Sequence, residues 1–267
     1  MTNPRMPALF IGHGSPMNVI TDSPERRAWE ALGRALPRPT AILVVSAHWE
    51  TQGAVHLTAG EHPRTIHDFG GFPDELFAIQ YPAPGAPALV ERVAGLLGED
   101  AVRRDEGWGF DHGSWGVVRP MFPDADVPMI QLSLDRALTP VQHLDVAARL
   151  AVLRDEGVLL VASGNVVHNL REYMRTMGTQ PHWAAEFQTR ITCAVVDGDH
   201  AALTAFAPDD EAAALAINSA EHYLPLLYAV GTRLPGDDVG VFNDTIDGAL
   251  TMTSYLIGDT QLLTMLG

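Results

Sequence analysis

Ala41-Ile42-Leu43-Val44-Val45 is an unbroken apolar run that gives way at once to Ser46-Ala47-His48-Trp49. A strand with one wet face alternates apolar and polar residues, whereas a run apolar at every position belongs to a strand covered on both faces. Runs that are likewise mostly apolar rather than alternating recur at 8–11, 128–134, 158–162 and 239–242. Between these runs lie stretches with helical spacing at 23–36, 87–97, 139–154, 183–196 and 210–230. Ser23-Pro24 and Thr139-Pro140 each supply a capping side chain followed by proline at the first helical position. The alternation predicts an α/β fold, a single domain over residues 1–267 with a mostly parallel central sheet flanked by helices on both faces.

Composition narrows the function classes. Hydrophobic residues make up 46% and charged residues 19%, which supports a sizeable core and argues against disorder. The formal net charge of -16 repels phosphate backbones, so no nucleic-acid partner is expected. The lone Cys193 excludes an internal disulfide framework and cysteine-rich metal sites. Its neighbours, Ile191-Thr192-Cys193-Ala194-Val195, predict a buried small hydrophobe. No apolar run approaches the roughly 18 residues of a membrane span. With no signal pattern at the N-terminus, a soluble cytoplasmic protein is expected.

In open α/β sheets, ligands bind beyond the carboxyl ends of the strands. His13 follows the first apolar run and His48 the second, and His168 lies a few residues beyond the fourth. His222, expected on a helix, can close the group from above. A lone histidine after a strand is more often a hydrogen-bonded structural residue. Four in these positions point instead to one divalent metal, for which neutral imidazole is the commonest ligand. His112 sits among glycines and aromatics in Trp108-Gly109-Phe110-Asp111-His112-Gly113-Ser114-Trp115, a setting that suits a proton donor or acceptor in a pocket wall. The alternative for His112 is a turn histidine bonded to backbone. His56, His62, His143, His182 and His200 lie in polar or loop contexts without matching partners, and His67 is intermediate. Residues 51–84, rich in Gly, Pro and His, read as an ordered loop beside the site. No phosphate-binding loop, nucleophile elbow or His-Glu-x-x-His helix occurs.

Six segments carry a family resemblance: Gly12-His13-Gly14-Ser15-Pro16-Met17, Ser46-Ala47-His48-Trp49, His67-Asp68-Phe69-Gly70-Gly71-Phe72-Pro73, Phe110-Asp111-His112-Gly113-Ser114-Trp115, Ser163-Gly164-Asn165-Val166-Val167-His168-Asn169-Leu170 and Glu221-His222-Tyr223-Leu224-Pro225-Leu226-Leu227-Tyr228. The chain resembles the 4,5-DOPA extradiol dioxygenase family, a branch of the class III (protocatechuate 4,5-dioxygenase type) ring-cleavage enzymes. The resemblance runs through nearly the whole chain in order.

The resemblance implies His13, His48 and His222 as metal ligands. It implies His168 as a further ligand or an acid/base residue, and His112 as the second pocket histidine. It also implies a divalent ion, Fe(II) for activity, and a small catechol such as DOPA opened by O2 to a muconic semialdehyde. An all-histidine set also suits zinc. The better-known class III enzymes complete a facial triad with glutamate. Here Glu221 and His222 are adjacent, and successive helical residues diverge by roughly 100°. The family pattern favours His222, with Glu221 turned away. Trp49, Phe69, Phe72, Trp115 and Tyr223 are candidate aromatic walls. Two other readings use the same residues: a zinc hydrolase with Glu221 or Asp111 as base, and a non-catalytic metal-binding scaffold. Oligomeric state is open.

Overall fold

The structure, a computed structural model, describes residues 4–207 and 209–266. Residues 1–3, part of the stretch that lacks a signal pattern, lie outside the described residues. The strands are β1 (Ala8–Gly12), β2 (Ala41–Thr51), β3 (Val55–Thr58), β4 (Val102–Asp105), β5 (Met129–Asp135), β6 (Val158–Gly164), β7 (Asp238–Phe242), β8 (Ile246–Asp247), β9 (Leu250–Thr251) and β10 (Ser254–Gly258). Eight of them form one sheet in the order β4-β3-β5-β2-β6-β1-β10-β7, and β8 pairs with β9 separately. The central strands β5, β2, β6 and β1 run parallel. Antiparallel pairing enters towards the edges, between β3 and β5 and along β1, β10 and β7.

The helices are α1 (Pro24–Ala35), α2 (Asp74–Phe77), α3 (Pro87–Leu97), α4 (His112–Met121) and α5 (Pro140–Leu150), followed by α6 (Leu170–Thr176), α7 (His182–Asp197), α8 (His200–Thr204), α9 (Glu211–Ala216) and α10 (Leu224–Gly231). Successive strand residues point to opposite faces, and the core divides accordingly. Ala41, Leu43 and Val45 of β2 pack with Phe10, Leu160 and Ala162 under α3, α5, α7 and α10. Ile42 and Val44 pack with Leu9, Ile11 and Val161 under α1 and α4. The apolar runs of β1, β2, β5 and β6 are continuous because both faces are covered, whereas β7, expected to be buried, is an edge strand in which only Phe242 is buried.

Five expectations need correction. Residues 210–230 form two helices, α9 and α10, because Pro225 is tolerated only within a first helical turn. His222 therefore lies in the turn before α10, not on a helix. Residues 51–84 include β3 and the short α2. Cys193 is exposed, on the outer side of α7. His143 is fully buried in α5, with Nδ1 3.0 Å from the Tyr228 hydroxyl.

Helices α4, α6 and α8 were not read from the sequence; α4 was concealed because Gly113, Gly116 and Pro120 give its sequence a loop-like composition. Asp111 caps it by accepting from the Ser114 N–H at 3.0 Å, and Trp115, Val117, Val118 and Met121 bury its inner face. The long loop is held against this helix. Ile66 N donates to Phe110 O at 2.7 Å, Phe110 N to Arg64 O at 2.9 Å, and Trp115 Nε1 to Ile66 O at 2.9 Å.

Candidate active site

β6 lies between β1 and β2, so the carboxyl ends of three adjacent parallel strands share one edge. His13 leaves β1 with its N–H donating to Gly164 O at 3.1 Å. His48 is inside β2 rather than after it. Between Val45, opposite Leu132, and Glu50, opposite Leu134, the register shifts by a bulge. A bulge leaves residues unpaired and re-aims their side chains, and His48 occupies this one. The His222 turn is fastened to the end of β6 by Asn165 N donating to His222 O at 2.8 Å. Gly164 permits that approach, since a Cβ there would sit 2.1 Å from His222 O.

These elements converge on a buried group. One nitrogen each of His13, His48 and His222 lies within 4.8 Å of the other two. His13 Nε2 and His48 Nε2 are 3.3 Å apart. The Nδ1 atoms of all three face partners instead: Ser163 Oγ at 3.0 Å for His13, Asp68 Oδ2 at 3.2 Å for His48, and Glu221 Oε1 at 3.1 Å for His222. The His168 ring stacks on His222 at 3.4 Å between centroids and 4° between planes. His168, Glu221 and His222 form a second set of ligand atoms within 4.8 Å of each other. His112, the first residue of α4, stands beside His48 with ring centroids 4.0 Å apart. Its Nδ1 lies 3.0 Å from Asp68 Oδ2.

Burial sets the electrostatics. It pushes His13 well below the ordinary histidine value, and the neighbouring histidines add to the effect. Burial also brings His168 down to about 3, and His222 to about 4 despite Glu221. Burial lowers His112 too, with Asp68 opposing. His48 is the exception: burial alone would depress it, but the bond to Asp68 and the charge of Asp111 raise it. Burial would raise Asp68, yet the bonds from His112 and His48 hold its carboxyl far below the usual range. The site is therefore a set of largely neutral imidazoles with anions behind them, the state required of metal ligands.

The two facing Nε2 atoms fit a metal on physical grounds. With each Nδ1 facing its own partner, Ser163 for His13 and Asp68 for His48, the two Nε2 atoms turn to one point, where a cation would take a lone pair from each. Three borderline nitrogen donors suit Fe(II) or zinc. His13, His48 and His222 are the residues placed to hold such an ion, with His168 next in reach.

Other sequence-derived assignments fare differently. Glu221 stands at His222 Nδ1: its carboxylate, held down to about 2, accepts from that ring at 3.1 Å and from Ser219 Oγ at 2.8 Å. Asp111 is fully buried, bonded to Ser46 Oγ at 2.7 Å and to Ser114 and Gln131. Phe69 meets His112 edge-on at 5.5 Å, and Phe72 and Trp115 pack around Phe69. Trp49 instead stacks on Trp108, and Tyr223 packs into the core against Phe187 and Phe206. His67 holds the loop, donating from Nε2 to Ile79 O at 2.9 Å. Asp68 was missed as a site residue. Its only signal was an acid inside the His67-Asp68-Phe69-Gly70-Gly71 segment.

The chain is 48% identical to a 4,5-DOPA dioxygenase extradiol of Escherichia coli (strain K12), over 97% of both chains. It is 35% identical to the 4,5-DOPA dioxygenase extradiol of Beta vulgaris, over 91% of this chain and 92% of that one. A crystal structure of an uncharacterized protein from Escherichia coli K12 superposes with a TM-score of 0.81 at 44% identity, covering 95% of this chain and 100% of that one. The family profile described as the catalytic LigB subunit of aromatic ring-opening dioxygenase matches residues 7–247. With strand-end histidines gathered at one edge of the sheet and relatives similar along almost their full lengths, the chain belongs to the LigB family.

Proposed function

We propose that this protein is a non-haem, metal-dependent extradiol dioxygenase that opens a catechol, DOPA or a related one, with O2 to give a muconic semialdehyde. Membership of the LigB family and the names of the relatives support ring-opening oxygenation. The observation that carries the reading is the 3.3 Å approach of His13 and His48 Nε2, with His222 beside them and His112 close by. His13, His48 and His222 would hold the ion, with Fe(II) the active form and zinc compatible. A bound ion would supply Lewis-acid and electron-transfer chemistry towards the diol and O2.

The chain's own groups supply the proton chemistry. His112 directs Nδ1–H at Asp68, which leaves Nε2 free to take a catechol proton and return one as the ring opens. His168, stacked on His222, is the second acid/base candidate, its other role being a further ligand. Phe69, Phe72 and Trp115 exclude water on the His112 side. The hydrolase reading is weakened because Asp111 spends both oxygens on protein partners and Glu221 Oε1 is taken by His222 and Ser219. A scaffold would not need His112 outside the ligand set. Residues 1–267 are taken as one catalytic domain. No helix among the described residues is long and apolar enough to cross a membrane. A cytoplasmic location is part of the proposal, supported by a fold that needs no disulfide.

The test is an oxygen electrode and a panel of catechols after anaerobic Fe(II) reconstitution. Oxygen consumption with a yellow product is expected. Absence of uptake at confirmed iron content would sink the reading.

A further inference from the structure

The long loop carries one group placed to serve two histidines at once. Asp68 Oδ2 lies 3.2 Å from His48 Nδ1 and 3.0 Å from His112 Nδ1, while Oδ1 accepts the His112 backbone N–H at 2.9 Å. The Nδ1 atoms of both rings face the same carboxylate oxygen, by hydrogen bond for His112 and at ion-pair distance for His48, which turns Nε2 of each to the cavity. For His48 that nitrogen is the one facing His13.

We propose that Asp68 is a shared positioning residue: a single carboxylate fixes the tautomer and orientation of both a metal-ligand histidine, His48, and the proton-transfer histidine, His112. The inference rests on the metal site proposed above. Charge-assisted bonds hold a ring more firmly than neutral ones, and the partners of ligating histidines commonly change metal affinity by 10–100-fold. The loop delivers Asp68 reproducibly. The residues on either side are fixed by other contacts, His67 by its bond to Ile79 O and Phe69 by packing on Phe77 and Trp115. Ile66 is tied to Phe110, one residue before the cap of α4. Ordering of this loop therefore sets the ligand and the acid/base residue together.

Asp68→Asn tests the claim with little change in shape. The amide keeps one acceptor oxygen but turns the other into a donor, so it cannot satisfy both rings and the His112 N–H. Titration of metal-free protein with Co(II) reads the ligand arm without turnover. Wild type is expected to bind Co(II), and Asp68→Asn to bind about 10–100-fold more weakly. At saturating Fe(II), kcat of the variant is expected to stay depressed with KM for the catechol little changed. Failure of wild type to bind Co(II) would overturn the metal site itself. Equal affinity in the two proteins, or full kcat in the metal-saturated variant, would overturn the shared role alone. A measurement free of mutation covers a variant that misfolds. Long-range proton–nitrogen correlations in zinc-loaded wild type should find both His48 and His112 protonated at Nδ1, and an Nε2–H on either contradicts the proposal.

Discussion

His222→Ala deletes one of three converging nitrogens, so stoichiometric metal should be lost, as read by elemental analysis after dialysis. Glu221→Ala leaves the ring but removes its Nδ1 partner, and a 10–100-fold weaker metal affinity is expected. If Glu221→Ala removes the metal entirely and His222→Ala does not, glutamate is the ligand and the assignment is reversed. His112→Ala should retain metal yet lose turnover, a loss of about 10²–10⁴-fold for a general acid/base. Loss of metal in that variant contradicts its place outside the ligand set.

At the scale of elements, the site depends on how closely the His222 turn approaches the end of β6. Gly164→Ala would put a Cβ 2.1 Å from His222 O and 3.2 Å from the Pro225 ring. The expected result is a loss of about 1–3 kcal/mol in urea unfolding, typical of overpacking, together with weaker metal binding. Gly95→Ala in α3, where the new methyl meets nothing, should be neutral or stabilising by up to about 1 kcal/mol. Equal effects at the two glycines would argue against the close approach. What the sequence disclosed follows the same physics. Four of the five apolar runs reported strands buried on both faces, the edge strand β7 being the exception, and the ends of three of them preceded His13, His48 and His168. The bulge that places His48 leaves no trace in residue type, and the glycines of α4 concealed a helix whose stability comes from its Asp111 cap and buried face. Asp68 and the Glu221 contact were hidden because both depend on loop paths set by distant backbone bonds, Ile66 to Phe110 and Asn165 to His222.

Across the whole molecule, a buried ion pair fastens the end of the sheet remote from the histidines. Arg154 reaches Met6 O at 2.8 Å, Thr232 O at 2.7 Å and Ile257 O at 3.0 Å besides pairing with Asp237. Arg154→Met strands Asp237 and three carbonyls, for an expected loss of about 3–5 kcal/mol in denaturant unfolding. A loss below about 1 kcal/mol would show that water replaces the pair. His143 makes stability depend on pH. Burial depresses it to about 4, against a weaker opposing effect of Asp135. The unfolded chain therefore binds the proton first, so this contribution is complete above about pH 6.5 and is lost as pH falls towards 4. It is worth at most about 3 kcal/mol. His143→Gln should flatten the stability profile across that window relative to wild type, and parallel profiles would refute the assignment. The central claim, oxygenative ring opening at a histidine-held metal, is tested most directly by turnover of DOPA under isotopically labelled O2 with mass spectrometry of the rapidly trapped product. Both atoms of one O2 should appear in the ring-opened molecule, one in the new carboxylate and one in the new aldehyde. A product whose added oxygen comes from water, or no product at confirmed iron loading, would contradict the account.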